Sequence, residues 1–123
     1  MNKKVIIYAR HSMSEEMLEK SIEQLKELAE SLGEKDYEIY SEVAKLPKEQ
    51  FAPEFSKVYQ MIVNDEVAKI YTMGISNFHR DMKLMIKLAK LMSEKKVEVF
   101  ENNPRPSEFT NLGKSDFYKN FGK

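Results

Sequence analysis

Two short segments of the sequence hold the side chains best suited to bind or attack an anion. Residues 8–15, YARHSMSE, place a guanidinium, an imidazole and two hydroxyl groups directly before a predicted helix. Residues 74–80, GISNFHR, follow a predicted strand and end on Arg80. The unpaired N–H groups at a helix N-terminus and the Arg10 guanidinium both favour negative charge. The first segment therefore predicts an anion or phosphate site, with Arg10 and Ser12 as its candidate residues.

Each of these side chains also has a purely structural interpretation. Ser12 and Glu15 match the S-x-x-E capping box, in which the serine accepts backbone N–H groups of the helix. His11 is equally compatible with an ordinary solvated or hydrogen-bonded histidine, and Glu42, near the end of the second predicted strand, with a surface carboxylate. The sequence has no metal-ligand spacing and no glycine-rich phosphate loop, so we predict neither a metal nor a cofactor. We expect Ser12 to cap the first helix.

Length and composition restrict the class of protein. The chain has 123 residues, which is the size of one domain, and its 41% hydrophobic and 33% charged residues are typical of a globular fold. With 20 Lys+Arg against 20 Asp+Glu, bulk charge alone would hold DNA only weakly. No apolar run approaches the ~20 residues of a membrane span. With no cysteine, the chain has no disulfide framework. We expect a cytoplasmic protein without membrane contact.

Hydrophobic periodicity predicts strands that alternate with helices. The strands are predicted over residues 4–9, 37–44, 67–73 and 97–101, and the helices over residues 14–32, from Pro53 onward, and over 81–94. The order β-α-β-α-β-α-β predicts an α/β fold with three layers: a four-stranded, mostly parallel sheet with helices on both faces. In such sheets ligands bind beyond the carboxyl ends of the strands, where both polar segments fall.

We place the α/β domain at residues 1–102 and a C-terminal tail at residues 103–123. The tail carries Phe117, Tyr118 and Phe121, which would suit a short docking helix or an arm on a partner. Charge is uneven within the domain: the first helix is rich in glutamate and the last is rich in lysine. These are either two solvated faces or an acidic and a basic face that meet different partners or pair in a homodimer.

The stretch Tyr8-Ala9-Arg10-His11-Ser12 resembles the Tyr-x-Arg-x-Ser motif in the catalytic domain of the serine recombinases, the resolvase/invertase family. The likeness continues collinearly to residue 102, through residues 21–24, 39–44, 53–55, 67–91 and 96–99. The resemblance implies a resolvase-like fold. It implies that Ser12 attacks a DNA phosphodiester and becomes joined to the 5′ phosphate, that Arg10 holds the phosphate and that Tyr8 supports the site. Further supporting candidates are Glu42, Ser76 and Arg80.

The chain departs from the family pattern where positive charge is needed. Ala52 stands in place of the arginine before the family's proline. The family turn Asp-Arg-Leu-Ser-Arg is matched to residues 73–77, MGISN, which hold no arginine. We therefore expect the turn at residues 74–77 to leave a pocket without cationic lining. The tail, with Pro104 and Pro106, is expected to lack the family's long helix and DNA-binding domain.

Three functional hypotheses follow. The first is a recombinase-like domain that is impaired or inactive in DNA cleavage and acts through a protein partner, such as a true recombinase or another component of a mobile element. The second is an active site-specific recombinase domain that forms a Ser12–5′-phosphate intermediate with DNA. The third is a small-anion or nucleotide-binding module that uses Arg10 and Ser12.

Overall fold

The computed structural model describes residues 3–102, which form alternating strands and helices. A 3₁₀ turn at Ile75–Asn77 precedes the last helix. The predicted tail, residues 103–123, and its docking helix lie outside the described residues. The elements are β1 (Lys4–His11), α1 (Glu15–Ser31), β2 (Glu38–Val43), α2 (Pro53–Val63), β3 (Val67–Thr72), α3 (Met82–Lys95) and β4 (Glu98–Glu101).

The four strands form one sheet in the order β2-β1-β3-β4, and each neighbouring pair is parallel. β1 lies inside the sheet, and residues 6–9 of this strand are fully buried. A strand covered on both faces needs a continuous apolar run, which is why IIYA has no polar alternation. The predicted α/β fold with a parallel sheet is confirmed.

Helices cover both faces of the sheet. α1 packs on one face, where Leu18, Leu25 and Ala29 meet Ile7 and Tyr71. α2 and α3 pack on the other face and share a larger apolar cluster with the sheet. The members of that cluster with no exposed surface include Ile6, Tyr8, Phe55, Val58, Ile62, Ile70, Phe78, Leu88 and Met92. The sheet is therefore the middle of three layers.

The first strand is longer than its apolar run predicts. It continues through Arg10 and His11 because these residues pair with Glu42 and Val43 of β2. Local hydrophobicity cannot show this extension, since the hydrogen bonds come from a strand more than 30 residues away. As a result, the backbone of Arg10 is fixed within the sheet rather than in a loop.

Candidate active site

An open cleft lies at the edge of the sheet where β1 and β2 end. Its volume is about 720 Å³, and its walls come from the segments that follow β1, β2 and β3. Four cationic side chains line it, together with the hydroxyl-bearing Ser12. The cationic residues are Arg10, Lys45, Lys48 and Arg80.

Positive charge outweighs negative charge in this cleft. The acidic residues in its lining are Glu49 and Asp81. The Asp81 carboxylate is already engaged as the N-cap of α3, where it accepts the N–H groups of Lys83 at 2.8 Å and Leu84 at 3.3 Å. The expectation that the turn at residues 74–77 leaves a pocket without cationic lining is wrong. The turn itself has no cationic side chain, but Arg10 contacts it and the neighbouring loops supply the remaining cations.

Arg10 is held between two loops by backbone carbonyl groups. Its Nη1 donates to the carbonyl oxygen of Ala44 at 2.8 Å, and its Nε donates to the carbonyl oxygen of Asn77 at 3.4 Å. These bonds connect the segments after β2 and β3 through one guanidinium. Since a guanidinium carries five N–H donors in a rigid plane, Arg10 keeps donors available for an anion. The two carbonyl contacts thus fix the side chain without using all of its donors.

Ser12 is exposed and does not cap the first helix, so the predicted capping box of Ser12 and Glu15 is wrong. The N-cap of α1 is Ser14, whose Oγ accepts the N–H of Met17 at 3.2 Å. The helix begins later than the capping-box pattern requires because β1 extends through His11. Ser12 then belongs to the turn between β1 and α1, and its side chain lines the cleft.

His11 stabilises this turn rather than acting on a ligand through Nδ1. Its Nδ1 accepts the N–H groups of Met13 at 3.2 Å and Ser14 at 3.0 Å. Both partners are donors, so Nδ1 carries no proton in this arrangement. The imidazole therefore holds the backbone that presents Ser12.

His79 anchors the loop that carries Lys45 and Lys48. It is 6% exposed. Its Nε2 lies 2.7 Å from the carbonyl oxygen of Pro47, and its Nδ1 accepts the N–H of Asp81 at 2.9 Å. Because Nδ1 accepts, Nε2 is the nitrogen that donates to Pro47. This one buried side chain joins the loop after β2 to the start of α3, and both segments line the cleft.

Sequence reasoning missed Lys45, Lys48 and His79. The signal for the two lysines was the parallel sheet itself: the loop after β2 must emerge at the same edge as the segments after β1 and β3. His79 had no comparable signal, because its partner is a backbone carbonyl in a loop 32 residues away.

Tyr8 and Glu42 do not line the cleft; they bond to each other and to the start of α2. The Tyr8 hydroxyl donates to Glu42 Oε2 at 2.6 Å, and Glu42 also accepts the N–H groups of Glu54 at 3.1 Å and Phe55 at 3.2 Å. Burial, and next the hydrogen bond to Glu42, raise the pKa of Tyr8 far above its usual value. Glu42 thus acts as a side-chain cap for α2, whose own N-cap residue, Ala52, offers none.

The other two predicted supporting residues occupy different places. Arg80 is exposed and lines the cleft with Arg10 and Ser12. Ser76 is exposed on the 3₁₀ turn and is not part of the cleft lining. The structure therefore brings together three of the predicted residues, Arg10, Ser12 and Arg80, and leaves Ser76 outside.

Among residues 3–102, no group of three or more histidine, aspartate and glutamate residues could hold a metal ion. None of the helices described here has the length and apolar character needed to cross a membrane.

Comparison with known proteins places the chain among recombination domains. The family model for the resolvase N-terminal domain matches residues 5–115. No curated protein matches the chain.

Several solved structures share its fold. The N-terminal catalytic domain of TP901-1 integrase has a TM-score of 0.72 at 19% identity, over 97% of this chain and 91% of that one. The C-terminal catalytic domain of ISC1926 TnpA, an IS607-like serine recombinase, has a TM-score of 0.70 at 21% identity, over 89% of this chain and 75% of that one. A resolvase family site-specific recombinase from Streptococcus pneumoniae has a TM-score of 0.69 at 18% identity, over 98% and 83%.

Proposed function

The chain belongs to the resolvase N-terminal domain family, and we propose that it is a serine recombinase catalytic domain that cleaves DNA with Ser12. The observation that carries this proposal is the position of Ser12. Its side chain is exposed, is not the helix cap, and lines one open cleft with Arg10, Lys45, Lys48 and Arg80.

The charge of the cleft suits a phosphodiester. Phosphoryl transfer requires little covalent chemistry from a protein beyond a positioned nucleophile, and depends on cations that stabilise the charge of the transition state. Arg10 is the best-positioned of these cations, because Ala44 and Asn77 fix its guanidinium plane. Removing one preorganised donor typically lowers the rate by about 10²–10³-fold. We expect a loss of that size for Arg10→Ala.

In the proposed reaction the Ser12 oxygen forms a bond to phosphorus and the bond from phosphorus to the 3′ oxygen breaks. The hydroxyl proton leaves Ser12, and the departing 3′ oxygen takes up a proton. The products are a phosphoserine ester with the 5′ end of one DNA segment and a free 3′ hydroxyl on the other. The linkage between Ser12 and the 5′ end is itself a phosphodiester. A 3′ hydroxyl can therefore attack it, reverse the step and rejoin the strands without an added cofactor.

The place of Arg80 supports a different match to the family's Asp-Arg-Leu-Ser-Arg turn. Moved three residues along the chain, that turn matches residues 76–80, SNFHR. Phe78 then takes the apolar position and Arg80 the final arginine, which would bring a family arginine into the cleft. In this register one arginine of the turn is kept and one is replaced by Asn77.

The decisive experiment looks for a covalent protein–DNA adduct. The full chain is incubated with a supercoiled plasmid library that carries random inserts, and the products are separated on a denaturing gel. We expect an adduct from the wild type and none from Ser12→Ala. Ser14→Ala is the matched control: it removes a hydroxyl two residues away that serves as the helix cap, and it should retain the adduct.

One observation favours a second function, in which the domain binds a protein partner and does not cut DNA. Ala52, at the position of a family arginine, is fully buried at the start of α2 and presents no charge to the cleft. Absence of any Ser12-dependent adduct across the library would contradict the cleavage proposal and favour this second function.

A further inference from the structure

A stripe of lysines runs along the outer face of α3. Lys83, Lys87 and Lys90 are exposed, and at 3.6 residues per turn they lie within an arc of about 60°. The buried residues of the helix are on its opposite side. The lysine stripe, defined as these three residues, therefore points away from the core. The buried set is Met85, Leu88, Ala89 and Met92.

The lysine stripe is not neutralised by neighbouring acids. None of its three residues forms an ion pair among residues 3–102, whereas lysines on other elements do. Glu94 lies on the same side of the helix, four residues after Lys90, so one acid stands beside three lysines and the stripe keeps a net positive charge. The lysines that are paired are Lys3 with Asp65, Lys4 with Glu38, Lys20 with Glu16, Lys26 with Glu23, Lys57 with Glu54 and Lys69 with Glu34.

The stripe belongs to the same side of the molecule as the cleft. Lys87 Nζ lies 5.9 Å from the centroid of the Tyr59 ring on α2. The Tyr59 ring is 5.2 Å from that of Phe51, and Phe51 is 6.0 Å from His79, which anchors the cleft loop. A continuous row of packed rings thus connects the lysine stripe to the wall of the cleft. Arg80, which lines the cleft, directly precedes α3.

The opposite layer of the domain carries the opposite charge. α1 packs on the other face of the sheet, and its outer surface is acidic. Although the net charge of the chain is zero, the domain is polarised across the sheet. A polyanion would be attracted to the α3 side and repelled from the α1 side. The exposed glutamates of α1 are Glu15, Glu16, Glu19, Glu23, Glu27 and Glu30.

We infer that the lysine stripe binds the DNA backbone next to the phosphodiester that occupies the cleft. This inference rests on the proposed function, since it assumes that the cleft takes DNA. Lys83 and Lys90 are about 10 Å apart along the helix axis, a length over which one DNA strand presents about three phosphates. The acidic α1 surface of a second copy is a poorer match, because Lys20 and Lys26 interrupt its row of glutamates and pair with Glu16 and Glu23, whereas the phosphates of a DNA strand are uniformly negative.

The test is the salt dependence of DNA binding by the full chain. Binding to a 30-base-pair duplex of mixed sequence is followed by fluorescence anisotropy between 50 and 200 mM KCl. Three lost phosphate contacts reduce the slope of log K against log salt by about 2.7. The wild type should therefore lose about 40-fold more affinity over this range than the triple variant Lys83→Gln, Lys87→Gln, Lys90→Gln.

The matched control makes the same charge change on the other layer, with Lys20→Gln, Lys26→Gln and Lys35→Gln, and it should leave the slope unchanged. Glutamine has nearly the helix propensity of lysine, so both triple variants should fold. Equal slopes for the two triple variants, or no binding by the wild type at 50 mM, would overturn the inference. So would a dimer, seen in sedimentation, that only the stripe variant abolishes while its DNA slope stays at the wild-type value.

The outcomes also separate this inference from the proposed function. If the wild type forms the Ser12 adduct but the stripe variant keeps the wild-type slope, the cleavage proposal stands and the stripe inference fails. If no adduct forms, but the salt dependence of DNA binding decreases in the stripe variant and not in the control variant, the cleavage proposal fails and the stripe is still a DNA-binding surface.

Discussion

Replacing Glu42 should destabilise the domain more than replacing any exposed acid, because this carboxylate satisfies three donors at once. It accepts the Tyr8 hydroxyl and two N–H groups at the start of α2. Glu42→Ala removes the only side-chain cap described for that helix start, which costs about 1 kcal/mol. It also leaves the buried Tyr8 hydroxyl without a partner, which costs about 1–3 kcal/mol. The expected loss is about 2–4 kcal/mol.

The measurement is urea unfolding at pH 7, with thermal unfolding as a second readout. For a domain of this size the loss corresponds to a decrease in Tm of roughly 10 °C. Glu42→Gln is the conservative control. It keeps one acceptor oxygen, but its NH2 group cannot accept the donors that the other carboxylate oxygen of Glu42 accepts. It also loses the charge near the helix N-terminus, so its cost should lie between zero and that of Glu42→Ala.

A double-mutant cycle with Tyr8→Phe tests the mechanism behind this number. In the Tyr8→Phe background there is no hydroxyl to leave unpaired. Glu42→Ala should therefore cost at least about 1 kcal/mol less there than in the wild type. If the two substitutions are additive within about 0.3 kcal/mol, the Tyr8 hydroxyl does not depend on Glu42 and the reasoning is refuted.

Three further predictions concern single positions. Ser14→Ala should lower the free energy of unfolding by about 1 kcal/mol, because Ser14 caps α1; urea titration measures this, and an unchanged midpoint contradicts the assigned cap. Partial burial acts to raise the pKa of Glu34, but hydrogen bonds from Lys69 and Tyr71 outweigh it and hold the pKa below its usual value. The stabilisation is therefore present above the unfolded-state pKa and lost as pH falls through the folded-state pKa. In Glu34→Gln the free energy of unfolding should decrease less steeply with falling pH in the acidic range; an equally steep decrease contradicts this. Lys96 ends α3 with a positive φ of 58°, a conformation that costs an L residue about 1–2 kcal/mol and that glycine adopts without strain. This relief exceeds the entropic cost of glycine, about 0.5–1 kcal/mol, so Lys96→Gly should raise the free energy of unfolding and the Tm; a lower Tm in differential scanning calorimetry contradicts this.

The fold was predictable from sequence because its signals are local and repeated. The run IIYA shows a strand buried on both faces, and the spacing of apolar residues around Leu25 and Leu88 shows which side of each helix faces the sheet. Alternation of strands and helices then leaves few topologies, since parallel crossovers are right-handed. No single position had to be correct for the architecture to emerge.

The site was harder to predict because it depends on which loops meet. Two serines stand near the start of α1, and the sequence pattern selected Ser12 as the cap, although the length of β1 makes Ser14 the cap. That length is set by pairing with β2, which a local pattern does not contain. The position of Lys45 and Lys48 depends on a hydrogen bond between His79 and the carbonyl group of Pro47, 32 residues away in the chain. Motif searches find residues at a fixed spacing in the sequence, and the spacing between these lysines and His79 belongs to no such motif.

The cleft shows how the edge of a parallel sheet can lack motif arginines in one turn and keep positive charge. In a parallel sheet every strand delivers its following loop to the same edge, so a cation after β2 can occupy space that a cation after β3 would otherwise fill. Here the turn after β3 contributes the Asn77 carbonyl that orients Arg10, while the loop after β2 contributes Lys45 and Lys48. Counting arginines within one turn therefore underestimates the charge available to Ser12. What decides catalysis is whether lysine ammonium groups on that loop reach the phosphate as closely as the absent guanidinium groups would, because stabilisation of the transition state depends on distance and direction more than on total charge.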